Sequence, residues 1–206
     1  MRHRFADLVF TPKVKKIQTE QGSRHGYARM SDGLQSVPDA LTFHEAEFIA
    51  ARDSFYMATV SETGWPYIQH RGGPAGFLKV IDEHTISLAD YRGNRQYVSV
   101  GNLSNDDRVA LFLMDYPNRQ RLKLLGHARI IDAATEPEIA AKLQDDYAAK
   151  VERGILISVE GYDWNCPQHI TPRFTADEIE DMLRPMGEKM KALEQENAEL
   201  RAKLAD

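Results

Sequence analysis

The middle of this 206-residue chain alternates apolar and polar positions in short runs, a pattern typical of half-buried β-strands. The strands it predicts are 54–60, 66–71, 76–81, 85–89, 109–114, 121–131 and 155–159. Most links between them have the length of hairpins, and one helix near 94–103 interrupts the series. Six or more short strands in this order predict a small antiparallel barrel with helices, an α+β fold that is mainly β.

Three Thr-x-x-Glu sequences mark predicted helix starts, because Thr and Glu can satisfy each other's free backbone N–H groups. They begin at Thr42, Thr135 and Thr175 and predict helices over 43–52, 136–151 and 176–204. Residues 1–40 are polar and interrupted by Gly and Pro, so we expect an irregular N-terminal arm that lies across the folded body. The predicted organisation is an arm (1–40), a barrel domain (41–175) and a C-terminal helix (176–206).

The predicted C-terminal helix carries a heptad pattern. Its a positions are Leu183, Met190, Asn197 and Leu204, and its d positions are Ile179, Met186, Leu193 and Leu200. Asn at one a position fixes the register of a two-stranded coil, so we predict a parallel coiled coil and a homodimer. The supercoil is expected to begin beyond Pro185 and Gly187. The alternative is an amphipathic helix packed on its own barrel.

Composition narrows the class of protein and its partners. Apolar residues make up 42% and charged residues 28% of the chain, which is typical of a globular protein. A net charge of −5 disfavours nucleic acid and anionic membranes as partners. Cys166 is the only cysteine, so no intramolecular disulfide can form, which fits a reducing compartment. With no leader-like segment and no run near ~20 apolar residues, we expect a soluble, cytoplasmic protein.

Polar and basic residues concentrate in three segments of the predicted barrel. They are Gly64-Trp-Pro-Tyr-Ile-Gln-His-Arg71, Ser87-Leu-Ala-Asp-Tyr-Arg-Gly-Asn-Arg-Gln96 and Arg119-Gln-Arg-Leu-Lys-Leu-Leu-Gly126. In this order and spacing they resemble the pyridoxamine 5'-phosphate oxidase-like, FMN-binding split β-barrel superfamily, over roughly residues 42–175. The resemblance implies a six-stranded antiparallel split barrel, dimerised through its faces, with an FMN in each of two clefts between the subunits.

The residues that would hold FMN follow from its chemistry and from the resemblance. A dianionic phosphate needs fixed cations and amide donors, and an isoalloxazine ring needs polar groups along its pyrimidine edge. Trp164 and Arg173 look similar to family residues that reach the flavin from the other subunit. The candidate cofactor-binding residues are Gln69, His70, Arg71, Ala89, Asp90, Asn94, Arg95, Gln96, Arg121, Lys123, Trp164 and Arg173.

This chain departs from the family pattern in ways that argue against pyridoxamine phosphate as the substrate. At the phosphate turn, where the family supplies Arg and Lys, the chain has Asn94 and Arg95, and Arg71 would supply the missing charge. Arg121 stands where the family has Gln near the ring. The family's closing Arg-Leu-x-Pro is replaced by His169-Ile-Thr-Pro-Arg173.

The first functional hypothesis is an FMN-dependent oxidoreductase that passes hydride between flavin N5 and a small organic substrate or a nicotinamide. His70, Trp164 and Arg173 would shape the substrate side, and no catalytic side chain is identified. The alternatives are a non-catalytic flavin-binding sensor or carrier, a haem-binding barrel with His169 as axial ligand, and a deazaflavin in place of FMN. Cys166 and His169 have the spacing of half a metal site, but further ligands are not evident, so no metal is expected.

Overall fold

The computed structural model describes residues 3–31, 37–132, 136–138, 143, 147–164 and 167–205, which contain six helices and seven strands. The helices are α1 (Arg4–Val9), α2 (Pro12–Glu20), α3 (Arg24–Ser31), α4 (Phe43–Ala50), α5 (Val98–Leu103) and α6 (Ala176–Ala205). The strands are β1 (Ser54–Val60), β2 (Pro66–Gly72), β3 (Leu78–Asp82), β4 (Thr85–Tyr91), β5 (Arg108–Asp115), β6 (Gln120–Ile131) and β7 (Val151–Trp164).

The seven strands form one antiparallel sheet in the order β2-β1-β5-β6-β7-β4-β3. Successive residues of a strand point to opposite faces, so burial alternates along β1, β5 and β6. The buried positions build one apolar core. Its largest fully buried side chains include Phe55, Met57, Leu111, Leu122, Leu124 and Ile155.

The sheet curls until its two ends meet. Phe55 on β1 stacks on Phe77, just before β3, with ring centroids 5.7 Å apart. Arg71 on β2 forms an ion pair with Asp90 on β4. These strands lie near opposite ends of the sheet order, so the sheet is a barrel left open along a seam between β2 and the β3–β4 hairpin. The split antiparallel barrel with helices is thus confirmed, with seven strands where six are expected.

Two of the helix starts predicted from Thr-x-x-Glu sequences are confirmed. The capping box of Thr42 opens α4, and Thr175 exchanges hydrogen bonds with Glu178 at the start of α6. The interrupting helix is shorter than predicted and begins at Val98.

Of the helix predicted over 136–151, residues 139–142 and 144–146 lie outside the described residues, as does Thr135 of its capping box, whereas residues 137–138 are helical. Residues 147–150 are not helical, and β7 begins at Val151 instead of residue 155. It extends to Trp164 because β4 and β6 pair with it over successive stretches.

The N-terminal arm is not irregular, because its described residues form α1, α2 and α3. Thr11 caps α2 and Pro12 occupies its first turn. This Thr-Pro pair is a local signal for a helix start, but the high polarity of residues 1–40 led to the prediction of an irregular segment. Asp39 fixes α1 on β7, since its carboxylate accepts hydrogen bonds from the backbone N–H of Arg4 (2.9 Å) and of Tyr162 (3.2 Å). The N-terminal arm therefore packs on β7, an interior strand of the sheet.

The C-terminal helix α6 runs 30 residues and continues through Pro185. All of its side chains from Ala176 to Leu204 are exposed. The alternative of a helix packed on its own barrel is therefore wrong for this protomer. Across the described ranges, no helix combines the length and apolarity needed to cross a bilayer.

Gly161 lies where α1 crosses β7, and a Cβ there would stand 2.5 Å from the backbone nitrogen of Phe5. Backbone cannot swing aside as a flexible side chain can, so we expect Gly161→Ala to displace α1 while the barrel stays folded. Hydrogen exchange measured by mass spectrometry should then accelerate in residues 4–20 but not in β5. Gly101→Ala is the control, because a Cβ at Gly101 meets nothing within 4 Å. Unchanged exchange in the Gly161 variant would show that the helix is not held by this contact.

Candidate functional site

A cleft of about 290 Å³ opens at the seam of the barrel, between β2, the end of β4 and the turn that leads into α5. Eight of the twelve predicted cofactor-binding residues border it. They are Gln69, His70, Arg71, Ala89, Asp90, Asn94, Arg95 and Gln96. Residues from three separate segments thus meet at one place, as the barrel topology requires. The volume lies just below the usual range for small-molecule sites, roughly 300–1,000 Å³.

Strand β2 presents its two faces differently to this cleft. Tyr67, Gln69 and Arg71 are half-buried on the cleft side, whereas Ile68 and His70 alternate to the exposed side. The ring of His70 packs edge-on against Tyr56 of β1, with centroids 5.6 Å apart. His70 borders the cleft, but its imidazole is therefore directed to the outer face.

The strongest polar contact at the cleft is the seam cluster, formed by Arg71, Asp90 and Arg153. The Asp90 carboxylate is paired with Arg71 of β2 and lies 3.4 Å from Nε of Arg153 on β7. The Arg71 and Asp90 side chains are only 10% and 13% exposed, and Nε of Arg71 is buried without a hydrogen-bond partner in the described structure. One carboxylate is thus shared by two guanidinium groups.

Glu152 adds a second carboxylate at the cleft rim, paired with Arg153 at 3.0 Å and with Arg92 at 3.7 Å. Four guanidinium groups, those of Arg71, Arg92, Arg95 and Arg153, therefore surround two carboxylates at this edge of the barrel. Only Arg71 and Arg95 line the cleft itself, so its lining carries two guanidinium groups and two carboxylates.

The turn between β4 and α5 is held in an unusual backbone conformation. Arg95 and Tyr97 both have left-handed backbone angles, with φ of 62° and 54°. For non-glycine residues this costs roughly 1–2 kcal/mol each, and such strain clusters at ligand sites. Nε of Arg95 donates to the Tyr97 hydroxyl at 3.1 Å, and the backbone N–H of Gln96 donates to Oδ1 of Asn94 at 3.2 Å. The bond to Tyr97, followed by the charges of Tyr97 and Glu152, raises the pKa of Arg95.

Helix α5 fixes this turn against the barrel. Oγ of Ser99 donates to Oε1 of Gln69 at 2.7 Å, and the Asn102 amide donates to the hydroxyl of Thr59 at 2.9 Å. Ser99, Asn102 and Thr59 are buried, so both bonds are shielded from water. Sequence reasoning missed Ser99, although it stands only four residues after Arg95.

Glu152 and Arg153 were missed for a different reason. The predicted helix ended at residue 151 and the predicted strand began at 155, so both fell in a supposed loop. The structure places both on β7, where burial alternates regularly only from Ile155 onward, so hydrophobic alternation gave no signal for them.

Arg121, Lys123 and Trp164 do not reach the cleft within one protomer. They line a separate cavity of about 600 Å³ between the N-terminal helices and the ends of β6 and β7. Strand β6 lies in the middle of the sheet, and its buried residues Leu122 and Leu124 alternate with these two cations. Arg121 and Lys123 therefore do not join Arg71 and Arg95 at one site within the protomer.

In this second cavity, Nζ of Lys123 pairs with Asp163 at 2.9 Å and lies 4.9 Å from the ring centroid of Phe5. The Arg121 guanidinium lies over the ring of Phe112 at 5.7 Å, and its Nε is buried without a partner in the described structure.

The remaining candidates lie apart from both cavities. The Arg173 guanidinium is exposed and lies 4.9 Å from the ring centroid of Tyr116. His169 is exposed and lines neither cavity, and Cys166 lies outside the described residues. Within the described ranges, no three His, Cys, Asp or Glu side chains converge as metal ligands would.

Trp164 is both a wall of the second cavity and part of the packing on α4. Its ring stacks on His44 at 4.8 Å and meets Phe48 edge-on at 4.7 Å. Its Nε1 donates to Oε1 of Glu45 at 2.7 Å, while the other carboxylate oxygen of Glu45 accepts from the N–H of Thr42 at 3.0 Å. Glu45 is only 4% exposed, so one buried carboxylate caps α4 and orients Trp164.

Two pKa shifts follow from this arrangement. Burial by itself raises the pKa of Glu45, but the hydrogen bonds from Thr42 and Trp164 outweigh it, and the net pKa lies below the ordinary 4.5. Burial, and then the charge of Glu45, raises the pKa of Tyr162 to about 12.

We expect Glu45→Gln to destabilise the fold by about 1–3 kcal/mol near neutral pH, because one amide oxygen cannot serve both Thr42 and Trp164. A carboxylate whose folded pKa is lowered stabilises above its unfolded pKa, and this contribution is lost as the pH falls through the folded pKa. The difference in unfolding free energy from the native protein should therefore shrink below the ordinary 4.5. Urea titrations across this range measure it, with the exposed Glu47→Gln as control. A difference independent of pH would contradict the assignment.

The fold is that of a split-barrel protein with a polar cleft at its seam. A sequence model of the family described as pyridoxamine 5'-phosphate oxidase matches residues 41–168, well over half of the chain. The chain therefore belongs to the pyridoxamine 5'-phosphate oxidase family. No curated protein matches it.

Solved structures with similar folds include HupZ of Group A Streptococcus, 16% identical over 65% of this chain and 99% of that one, with a TM-score of 0.46. An FMN-binding protein of Syntrophomonas wolfei is 13% identical over 75% of this chain and 95% of its own, with a TM-score of 0.46. A Clostridium acetobutylicum protein related to general stress protein 26, of the pyridoxinephosphate oxidase family, is 20% identical over 66% and 94%, with a TM-score of 0.41.

Proposed function

We propose that the seam cleft binds FMN and that the protein is an FMN-dependent oxidoreductase. The observation that carries the proposal is the meeting of eight candidate residues in one cleft, with two further guanidinium groups, those of Arg92 and Arg153, just outside its lining. Membership of the pyridoxamine 5'-phosphate oxidase family supports it. A polar cleft alone would suit many ligands, so the remaining support is the distribution of groups within it.

The phosphate end is assigned to the turn before α5. Arg95 is exposed at the cleft and permanently charged, and its planar guanidinium can bind two phosphate oxygens. Asn94 lies beside it and offers a side-chain amide. Arg71 lies on the opposite side of the cleft, and its pairing with Asp90 leaves it a weaker contributor than Arg95.

The ring end is assigned to β2 and the end of β4. Oε1 of Gln69 accepts a hydrogen bond from Ser99, so its NH₂ group is available to donate to a ring carbonyl. Ala89 and Asp90 provide backbone groups along the same edge, and the cleft lining from Phe77 and Leu88 is apolar, as one face of the ring requires.

A second copy of the chain would complete the cleft in this proposal. The cleft volume is small for a whole flavin, and Arg121 and Trp164 lie on another surface of the same protomer. The outer side of β1 and β2 exposes Tyr56 (40%), Ile68 (66%) and, in the preceding turn, Trp65 (75%). Apolar side chains gathered on one face favour association, and we assign this face to the homodimer.

In this assignment the chain's own residues bind FMN, orient its ring and shield it from water, and FMN when bound supplies hydride exchange at N5. Arg95 holds the phosphate, Gln69 orients the ring, and the β3–β4 hairpin excludes water from its apolar face. The substrate side is left to the open mouth of the cleft, where a small organic molecule or a nicotinamide would approach.

We expect the purified protein to show flavin absorbance and to release a compound with the mass of FMN. Anaerobic addition of NADH or NADPH, or of the substrate, should then bleach that absorbance because the flavin is reduced. A colourless protein that also fails to bind added FMN would overturn the cofactor assignment. A Soret band would indicate haem instead. Bound FMN that neither nicotinamide reduces would favour the sensor or carrier alternative.

Arg95→Ala should weaken FMN binding about tenfold or more, because a charge-assisted contact to the phosphate is lost. Riboflavin, which lacks the phosphate, should bind both forms alike. Fluorescence titration measures both ligands. Arg92→Ala is the matched control, since Arg92 is exposed in the same turn but does not line the cleft. Equal losses for riboflavin and FMN would place Arg95 away from the phosphate.

A further inference from the structure

The C-terminal helix presents an apolar stripe that nothing in the protomer covers. The exposed fractions are 46% at Ile179, 53% at Leu183, 63% at Met186, 60% at Met190, 53% at Leu193, 51% at Leu200 and 88% at Leu204. These residues recur at alternating intervals of four and three, interrupted only by Asn197 between Leu193 and Leu200, so they lie along one side of α6. A stripe of this length in water favours association with another apolar surface.

We propose that this stripe pairs with the same stripe of a second copy to form a parallel, two-stranded coiled coil. The spacing of three and four residues is that of a and d positions, whose side chains interlock between two helices. The occupant is therefore a helix of the same kind, and the copy of α6 in another protomer supplies one with a matching pattern. This inference does not depend on the proposed flavin site.

Asn197 determines the orientation. It occupies an a position between Leu193 and Leu200. In a parallel, in-register pair it faces Asn197 of the second copy, and the two amides can hydrogen-bond to each other. In an antiparallel pair an a residue faces a d residue, which here is Leu, Met or Ile, and the amide would be buried without a partner.

The charges beside the stripe agree with the parallel arrangement. Lys189 precedes Glu194 by five residues, and Glu196 precedes Arg201 by five. This is the separation at which a g position meets the e position of the neighbouring helix. Both pairs are of opposite sign, so both are attractive between two parallel copies.

The coil begins beyond Pro185. A proline within a helix lacks the N–H needed for the backbone bond, and Gly187 follows at an e position, without a side chain to flank the stripe. The paired segment is therefore placed over residues 188–204. With parallel helices, both barrels lie at the same end of the coil and can share one two-fold axis.

The test is disulfide cross-linking of the full chain in a Cys166→Ser background. Met190→Cys, at an a position, should oxidise to a covalent dimer, because parallel helices bring the two sulfurs together. Lys191→Cys lies on the outer face and should not. Leu204→Cys against Ala202→Cys repeats the comparison near the chain end, where a substitution cannot disturb the barrel. Dimer formation is measured by non-reducing electrophoresis.

A second pair of variants separates the coil from an association of barrels alone. Added to the Leu204→Cys protein, Leu193→Glu with Leu200→Glu should abolish cross-linking, because the two carboxylates would be buried in the apolar interface between the helices. Ala192→Glu with Ala198→Glu adds the same charge to the outer face and should leave cross-linking intact. Failure of both the 190 and 204 thiols to cross-link, or equal cross-linking at inner and outer positions, would overturn the proposal.

Discussion

The shared carboxylate of Asp90 is the contact on which the cleft depends. It lies between a guanidinium from β2 and another from β7, and so joins the two ends of the curled sheet. Ion pairs this buried are costly to form, and removing one partner typically costs about 3–5 kcal/mol because the other charge stays uncompensated. An apolar pair would close the seam as well. The ionic pair also leaves the floor of the cleft polar, which an apolar seam would not.

The inner and outer surfaces of the sheet carry different sets of polar side chains. The inner side at the seam gathers Arg71, Gln69 and the turn of Arg95. The outer side carries Arg121 and Lys123 on a central strand, covered by helices of the N-terminal arm. The two sets therefore do not meet within one protomer. The separation of the cations within one chain therefore has a direct geometric cause, the position of β6 in the strand order.

The sequence was a good guide where short-range patterns decide the structure. Period-two alternation located the strands, and Thr42 and Thr175 located two helix starts, because capping is a local interaction. It also located the turn of Asn94 and Arg95, since polar residues directly follow a buried strand. It failed where the sheet order decides. The residues around Arg121 in the sequence do not indicate that its strand lies in the middle of the sheet. Arg153 comes close to Asp90 only because β7 pairs with β4.

The left-handed backbone at Arg95 and Tyr97 has a consequence for affinity. A loop that must order itself around a ligand loses conformational entropy at that moment, and the loss weakens binding. Here Ser99, Asn102 and the Tyr97 hydroxyl hold the turn in shape through contacts within the protein itself. The conformational entropy of the turn is therefore lost when the chain folds and not when a ligand binds. Association with an anion at this turn should thus be governed by desolvation and diffusion, with little rearrangement of the backbone.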